Sequence, residues 1–164
     1  MDLTLHHILT IVLVLLLGLS AGLCFTWTNA VTPGIGQLDD LGYLSAFQQM
    51  NRSIINPFFI LVFFGPFFLG LIYLYLYKNE SSSIIWFLIF AIAIYFFGVL
   101  LVTIAGNVPL NEILDKTDLN KAKTEDLKQL RERFEDKWNT LHLIRTMSSA
   151  IAFILIILTL IIKK

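Results

Sequence analysis

His142 and Arg145 stand three residues apart near the start of the last apolar stretch, with Trp138 four residues before the histidine. Positions i, i+4 and i+7 share one face of a helix. A neutral imidazole beside a fixed guanidinium can take a proton from an acidified group and hold the oxyanion that results. Carboxamides gather around this pair: Asn29, Gln48, Asn51, Asn56, Asn107 and Asn111 come from several segments. If the four apolar stretches cross a membrane in turn, all of these side chains fall at one end of the bundle. A bilayer strongly penalises polar groups at depth, so this one-sided crowding points to a site.

Each of these residues also has a plainer reading. About 27 Å of helix separates Arg145 from Lys163, which puts Arg145 near the edge of the apolar layer, where it could simply snorkel to water. Asn107 and Asn111 flank Pro109 and could each cap a helix end. Four segments supplying carboxamides to one face exceed what capping requires. His6 and His7 open the first stretch, at the end opposite His142, and cannot share a metal with it.

The elements that must position these groups follow from composition. Of 164 residues, 57% are hydrophobic and only 15% charged, and the mean hydropathy of +0.76 is that of an integral membrane protein. A crossing needs roughly 20 mostly apolar residues, and spans are expected at residues 7–30, 57–78, 84–106 and 141–162. None alternates as a barrel strand would. The expected fold is all-α: a four-helix bundle forming one membrane domain over residues 1–164, embedded in a lipid bilayer. The first stretch reads as a true span and not a cleaved leader, since no Lys or Arg precedes it and Leu23 before Cys24 does not fit a lipoprotein site.

Between spans one and two, residues 32–36 (Thr-Pro-Gly-Ile-Gly) read as a turn. Leu41, Leu44, Phe47 and Ile54 then recur at helical spacing behind Asp39 or Asp40 as N-cap, which predicts a short interfacial helix. Asn56-Pro57 is a start signal for span two. Tyr73, Tyr75 and Tyr77 form an interfacial aromatic belt at its far end. Span three is expected to stop at Asn107, because Pro109 prevents continuation. Residues 112–140 hold seven Lys or Arg and eight Asp or Glu, a solvated composition. Within that segment Leu127, Leu130, Phe134 and Trp138 start a stripe that continues through Leu141, Arg145 and Ser148. The last helix is therefore expected to begin near Thr124, its polar part over residues 124–140 extending beyond the bilayer.

Zero net charge gives no reason to expect a nucleic-acid partner. The lone Cys24 excludes an intramolecular disulfide, and no spacing of His, Cys or Glu suits a metal, so none is expected. No phosphate-binding glycine loop or serine nucleophile elbow is present, and no span carries a mid-membrane Asp, Glu or Lys such as an ion pump would need. A single axial ligand leaves no spacing signature, so haem through His142 stays open. Nine Lys or Arg fall on the site-bearing face against three on the other. The positive-inside rule makes the site face cytoplasmic, in a bacterial inner membrane. An oligomer is compatible with the Phe-rich spans.

Four elements carry a resemblance: residues 25–34 (Phe-Thr-Trp-Thr-Asn-Ala-Val-Thr-Pro-Gly), Phe47-Gln48 with Asn51-Arg52 and Asn56-Pro57, the run from Asn107 through Pro109 to Asn111, and Trp138 with His142 and Arg145-Thr146. In this order they resemble the anthrone oxygenase-like family of small four-span membrane proteins. The resemblance implies a four-helix bundle and, for characterised members, insertion of dioxygen at the activated methylene of an anthrone without an obvious organic cofactor. It further implies a small lipophilic aromatic substrate. His142 would be the base and Arg145 the stabiliser of the enolate oxygen. Asn29, Asn51, Asn107 and Asn111 would orient the substrate, with Gln48 and Asn56 nearby, while Trp138 and Phe47 stack on a flat ring. The competing expectation is a non-enzymatic membrane module that binds a lipid, a small hydrophobic ligand or a partner protein through the same pocket.

Overall fold

Side-chain caps set the starts of three of the five helices. In the computed structural model, which describes residues 4–162, Thr4 opens the first helix, α1 (Leu5–Ile35), with a capping box. Its hydroxyl accepts from His7 N at 3.4 Å and its N–H donates to His7 Nδ1 at 3.2 Å. His7 is thereby tied to a helix end, and His6 meets Tyr77 edge-on at 5.7 Å, both at the end remote from His142. Asp39 caps α2 (Asp40–Ile54) by accepting from Gly42 N at 2.8 Å. Asn56 caps α3 (Pro57–Leu76) by accepting from Phe59 N at 3.0 Å, with Pro57 at the first helical position. The other two long helices are α4 (Ser82–Asp115) and α5 (Thr124–Ile162).

Around the bundle α1 packs on α3 and α5, and α4 packs on the same two. Each long helix thus neighbours its partners in sequence, and α5 closes the ring against α1. The α4 and α5 backbones approach closely at Gly98, where an added Cβ would collide with Ser148 Oγ. No more than 33% of any apolar window is buried, and the remainder faces outward as Leu, Ile and Phe side chains such as Ile11, Leu15 and Phe90. Such a surface is stable only against lipid, so this is a multi-pass membrane protein.

Two helices run further than their prolines suggest. The first does not end at Ala30, nor the third at Gly106; they continue to Ile35 and Asp115. In each, the residue before the proline donates to a carbonyl five residues back: Thr32 N to Trp27 O, and Val108 N to Thr103 O. These are π turns, spanning Trp27–Val31 and Thr103–Asn107. A proline ring collides with the carbonyl four residues before it, here Asn29 or Ala105, and widening the turn removes the collision without breaking the helix. A second wide segment, Phe96–Leu101, lies one turn earlier in α4.

Two apolar cores result. One fills the membrane part of the bundle around Leu13, Leu88, Tyr95 and Ile156. The other lies beyond it, where Tyr43, Leu44 and Phe47 of α2 meet Leu114 of α4 and Leu127, Phe134 and Trp138 of α5. The polar segment of α5 therefore does not project freely. Its inner stripe is covered by α2, although Leu41, expected on the apolar face of α2, is 40% exposed. Arg131 pins the α1–α2 corner to α5 through Gly36 O at 2.9 Å, Leu38 O at 2.8 Å and Asp40 at 3.2 Å. Its guanidinium also lies 4.5 Å from the Tyr43 ring centre, and burial raises the Tyr43 phenol pKa above its ordinary value.

Candidate functional site

A cleft opens between the two cores, at the level of the π turns. Its cavity volume is about 100 Å³, below the roughly 300–1,000 Å³ usual for small-molecule sites, so the cleft is a narrow slot. Ser20, Cys24 and Trp27 line it from α1, Asn51 from α2, Phe63 from α3, Thr103 from α4, and Trp138, His142 and Arg145 from α5.

His142 is 4% exposed. Its Nε2 lies 3.1 Å from the Cys24 carbonyl. A carbonyl can only accept, so Nε2 carries the hydrogen and Nδ1 keeps the lone pair of the neutral ring. Nδ1 has no hydrogen-bond partner among the described residues. Thr146 steadies the same carbonyl at 3.3 Å and is itself 2.8 Å from Thr28 Oγ1, which locks α1 to α5 beside the imidazole. Trp138 stacks on His142 with ring centres 4.8 Å apart and planes inclined by 14°.

Arg145 does not snorkel. It is 8% exposed, with its guanidinium carbon 6.0 Å from the Phe63 ring centre and the Cys24 thiol and Tyr95 phenol as polar neighbours. Among the described residues no carboxylate pairs with it, whereas Arg52 and Arg131 both have such partners. An unpaired guanidinium is costly to bury. The side chains lining the slot also carry further unmatched atoms: Trp27 Nε1 and Asn51 Nδ2 are buried donors without acceptors among the described residues, as is Arg145 Nε. Three donors and one imidazole lone pair around a slot form a lining matched to an anionic or carbonyl oxygen on an otherwise apolar molecule.

The structure separates the remaining expected site residues. Asn111 accepts from Trp138 Nε1 at 2.8 Å, and Asn107, fully buried, donates to Trp138 O at 3.3 Å. Both hold the tryptophan that stacks on His142 and neither lines the slot. Phe47 meets Trp138 edge-on at 4.7 Å from the second core. Gln48 donates to Leu114 O at 2.9 Å and ties α2 to the end of α4, and Asn56 serves as a cap. Asn29 is exposed and outside the slot. The residue in its place is Trp27, which sequence reasoning passed over. Ser20, Cys24 and Trp27 stand at i, i+4 and i+7 and so share the inward face of α1, whereas two residues of helix carry Asn29 roughly 200° away from Trp27. That spacing is the signal in the sequence that marks Trp27. Cys24 is buried and also lines the slot.

A sequence model described as anthrone oxygenase matches residues 58–155. The chain belongs to the anthrone oxygenase family. The matched segment runs from the first turn of α3 to within α5 and holds Phe63, Thr103, Asn107, Asn111, Trp138, His142 and Arg145. Trp27, Phe47 and Asn51 lie before it, so α1 and α2 complete the slot from outside the matched part of this anthrone oxygenase family member. No curated protein and no solved structure matches the chain.

Proposed function

We propose that this protein is a membrane oxidoreductase that uses dioxygen to oxidise a flat, lipophilic anthrone, phenol or quinol in the slot between the two cores. The observation that carries this reading is the pairing of a free His142 Nδ1 with a buried Arg145 that has no carboxylate partner, on one face of α5. Family membership supports the same class of chemistry.

On an anthrone the methylene C–H is acidified by the ring carbonyl. His142 Nδ1 takes that proton, and the charge moves to the carbonyl oxygen, where Arg145 and the Trp27 and Asn51 donors stabilise it. The electron-rich enolate then reduces dioxygen. A C–O bond forms at the former methylene carbon, the second hydrogen leaves, and one oxygen atom ends as the new carbonyl while the other leaves as water. The substrate supplies the electrons, so the reading needs no organic cofactor. Trp138, held by Asn107 and Asn111, supplies a wall parallel to the imidazole against which a flat ring can lie.

Oxygen uptake by the purified protein given an anthrone, measured against autoxidation, tests the reading. Accelerated uptake in the wild type, lost in His142→Ala and Arg145→Met, is the expected result. No acceleration with any anthrone, phenol or quinol overturns it in favour of a binding module. An absorption spectrum of the same sample belongs with this measurement, since a Soret band would reassign His142 to haem.

A further inference from the structure

The slot has a wall toward water and a mouth toward lipid. On the side of the second core, Trp27, Phe47 and Trp138 close over it with mutual ring distances of 5.5, 5.5 and 4.7 Å. Phe47 is 0% and Trp138 4% exposed, while Trp27, which also lines the slot, is half-buried. On the side of α1 and α3 the lining is different. Leu23 is 45% exposed, and Ile54, Phe59 and Val62 beside it are half-buried. All four are apolar.

Their depth follows from the helix that carries them. The 20 residues of α3 match the thickness of the hydrocarbon layer at about 1.5 Å each. Phe59 and Val62 therefore lie about 3 Å and about 7.5 Å inside its edge. On the outer surface next to the mouth, Ile55 and Phe58 are 74% and 82% exposed, as lipid-facing side chains are. The helix itself is weakened here, because Pro66 has no N–H to give to the carbonyl of Val62.

We propose that the slot takes its ligand sideways from the acyl layer, through a portal between α1 and α3 framed by Leu23, Ile54, Phe59 and Val62, while the Trp27–Phe47–Trp138 cap bars the route from water. The ligand class, a flat membrane-dissolved molecule with one acidic or carbonyl oxygen, rests on the function proposed above; the route does not. Apolar mouth residues admit the hydrophobic body, and the polar groups behind them, Arg145, His142, Asn51 and Trp27 Nε1, meet its oxygen. Selectivity then acts twice: partition into lipid selects the body, and the buried donors select its oxygen. The cap also keeps bulk water from the reacting oxygen, which strengthens every electrostatic contact in the slot.

The chain carries its own reporter. Cys24, its lone cysteine, is buried and lines the slot behind the portal. The protein in lipid nanodiscs is treated with methyl methanethiosulfonate, which is uncharged and dissolves in lipid, or with its 2-sulfonatoethyl analogue, which carries the same reactive group but stays in water. Modification is followed by intact mass, with the unfolded protein as the reference for equal intrinsic reactivity. The uncharged reagent is expected to modify folded wild type at least about fifty-fold faster than the charged one, as the cost of moving a charge into apolar depth requires. Leu23→Trp and Val62→Trp, each filling the mouth, are expected to slow the uncharged reagent several-fold. Phe47→Ala, which opens the cap, is expected to speed only the charged one.

Equal rates for the two reagents on folded wild type would overturn the portal, and that comparison needs no variant to fold. So would the absence of modification by either reagent, or mouth variants that label as fast as wild type. Because labelling needs no turnover, a missing portal and a failed oxygenase reading give separate signatures: one in the mass spectrum, the other in oxygen uptake.

Discussion

At the scale of single residues, the site sets stability against chemistry. Arg145 is a buried cation without a carboxylate, and replacing such a group by an apolar side chain of similar length often stabilises a protein by about 1–4 kcal/mol. Arg145→Met is therefore expected to raise the thermal midpoint in detergent while lowering oxygen uptake by about 10²–10³. Paired melting and uptake measurements check this; a variant that loses both stability and activity would make Arg145 a structural residue. His142→Ala is expected to lose about 10²–10⁴ of the rate, the usual worth of a general base, with the thermal midpoint little moved. Asn111→Ala removes the acceptor for Trp138 Nε1, frees the ring and is expected to raise KM more than it lowers kcat, which steady-state kinetics would separate.

At the scale of elements, the two prolines act through the shape of their helices. Pro33 and Pro109 each follow a π turn that brings a slot residue, Trp27 or Thr103, into its place. Pro109→Ala restores the missing N–H and lets α4 return to regular α geometry, which turns Thr103 and Asn107 relative to α5. The expected outcome is a protein at least as stable as wild type with reduced activity. Thermal unfolding and uptake on the same preparation test it, and unchanged turnover would mean that the wide turn is incidental to the site. Gly98 marks the contact between α4 and α5. Gly98→Val places carbon where Ser148 Oγ already lies and is expected to cost about 1–3 kcal/mol, as overpacking does. A fluorescence-monitored melt is the check. These predictions belong to backbone shape, which residue identities alone do not display.

At the scale of the whole molecule, the second core carries most of the charged residues of α5 outward and fixes which face is bulky. We propose that this face is cytoplasmic, as the Lys and Arg distribution predicts. A cysteine at Lys123, which is exposed near the start of α5, introduced beside Cys24→Ser, should label with an impermeant reagent only after intact cells are opened. Labelling without opening them would reverse the orientation.

The four crossings, the interfacial helix and the start of α5 at Thr124 were legible because apolar length and cap chemistry are local properties of the chain. The pairing of Trp138, His142 and Arg145 was legible for the same reason, since helical periodicity alone puts them on one face. Of the expected carboxamides Asn51 lines the slot, and the others do not. Asn29, Gln48, Asn56, Asn107 and Asn111 share a membrane level, but level says nothing of rotation about a helix axis. Rotation sends Asn29 outward, gives Gln48 and Asn56 to backbone partners and turns Asn107 and Asn111 onto Trp138. That Pro33 and Pro109 widen their helices was likewise not legible, and the turn expected at residues 32–36 and the stop expected at Asn107 are both overturned. A proline's missing N–H is local, but its outcome depends on whether neighbouring helices hold the turn in place. Sequence thus determined the number of spans, their caps and the chemistry available at one end. Tertiary packing decided which groups meet in the slot, because burial and rotation are set by contacts between helices far apart in the chain.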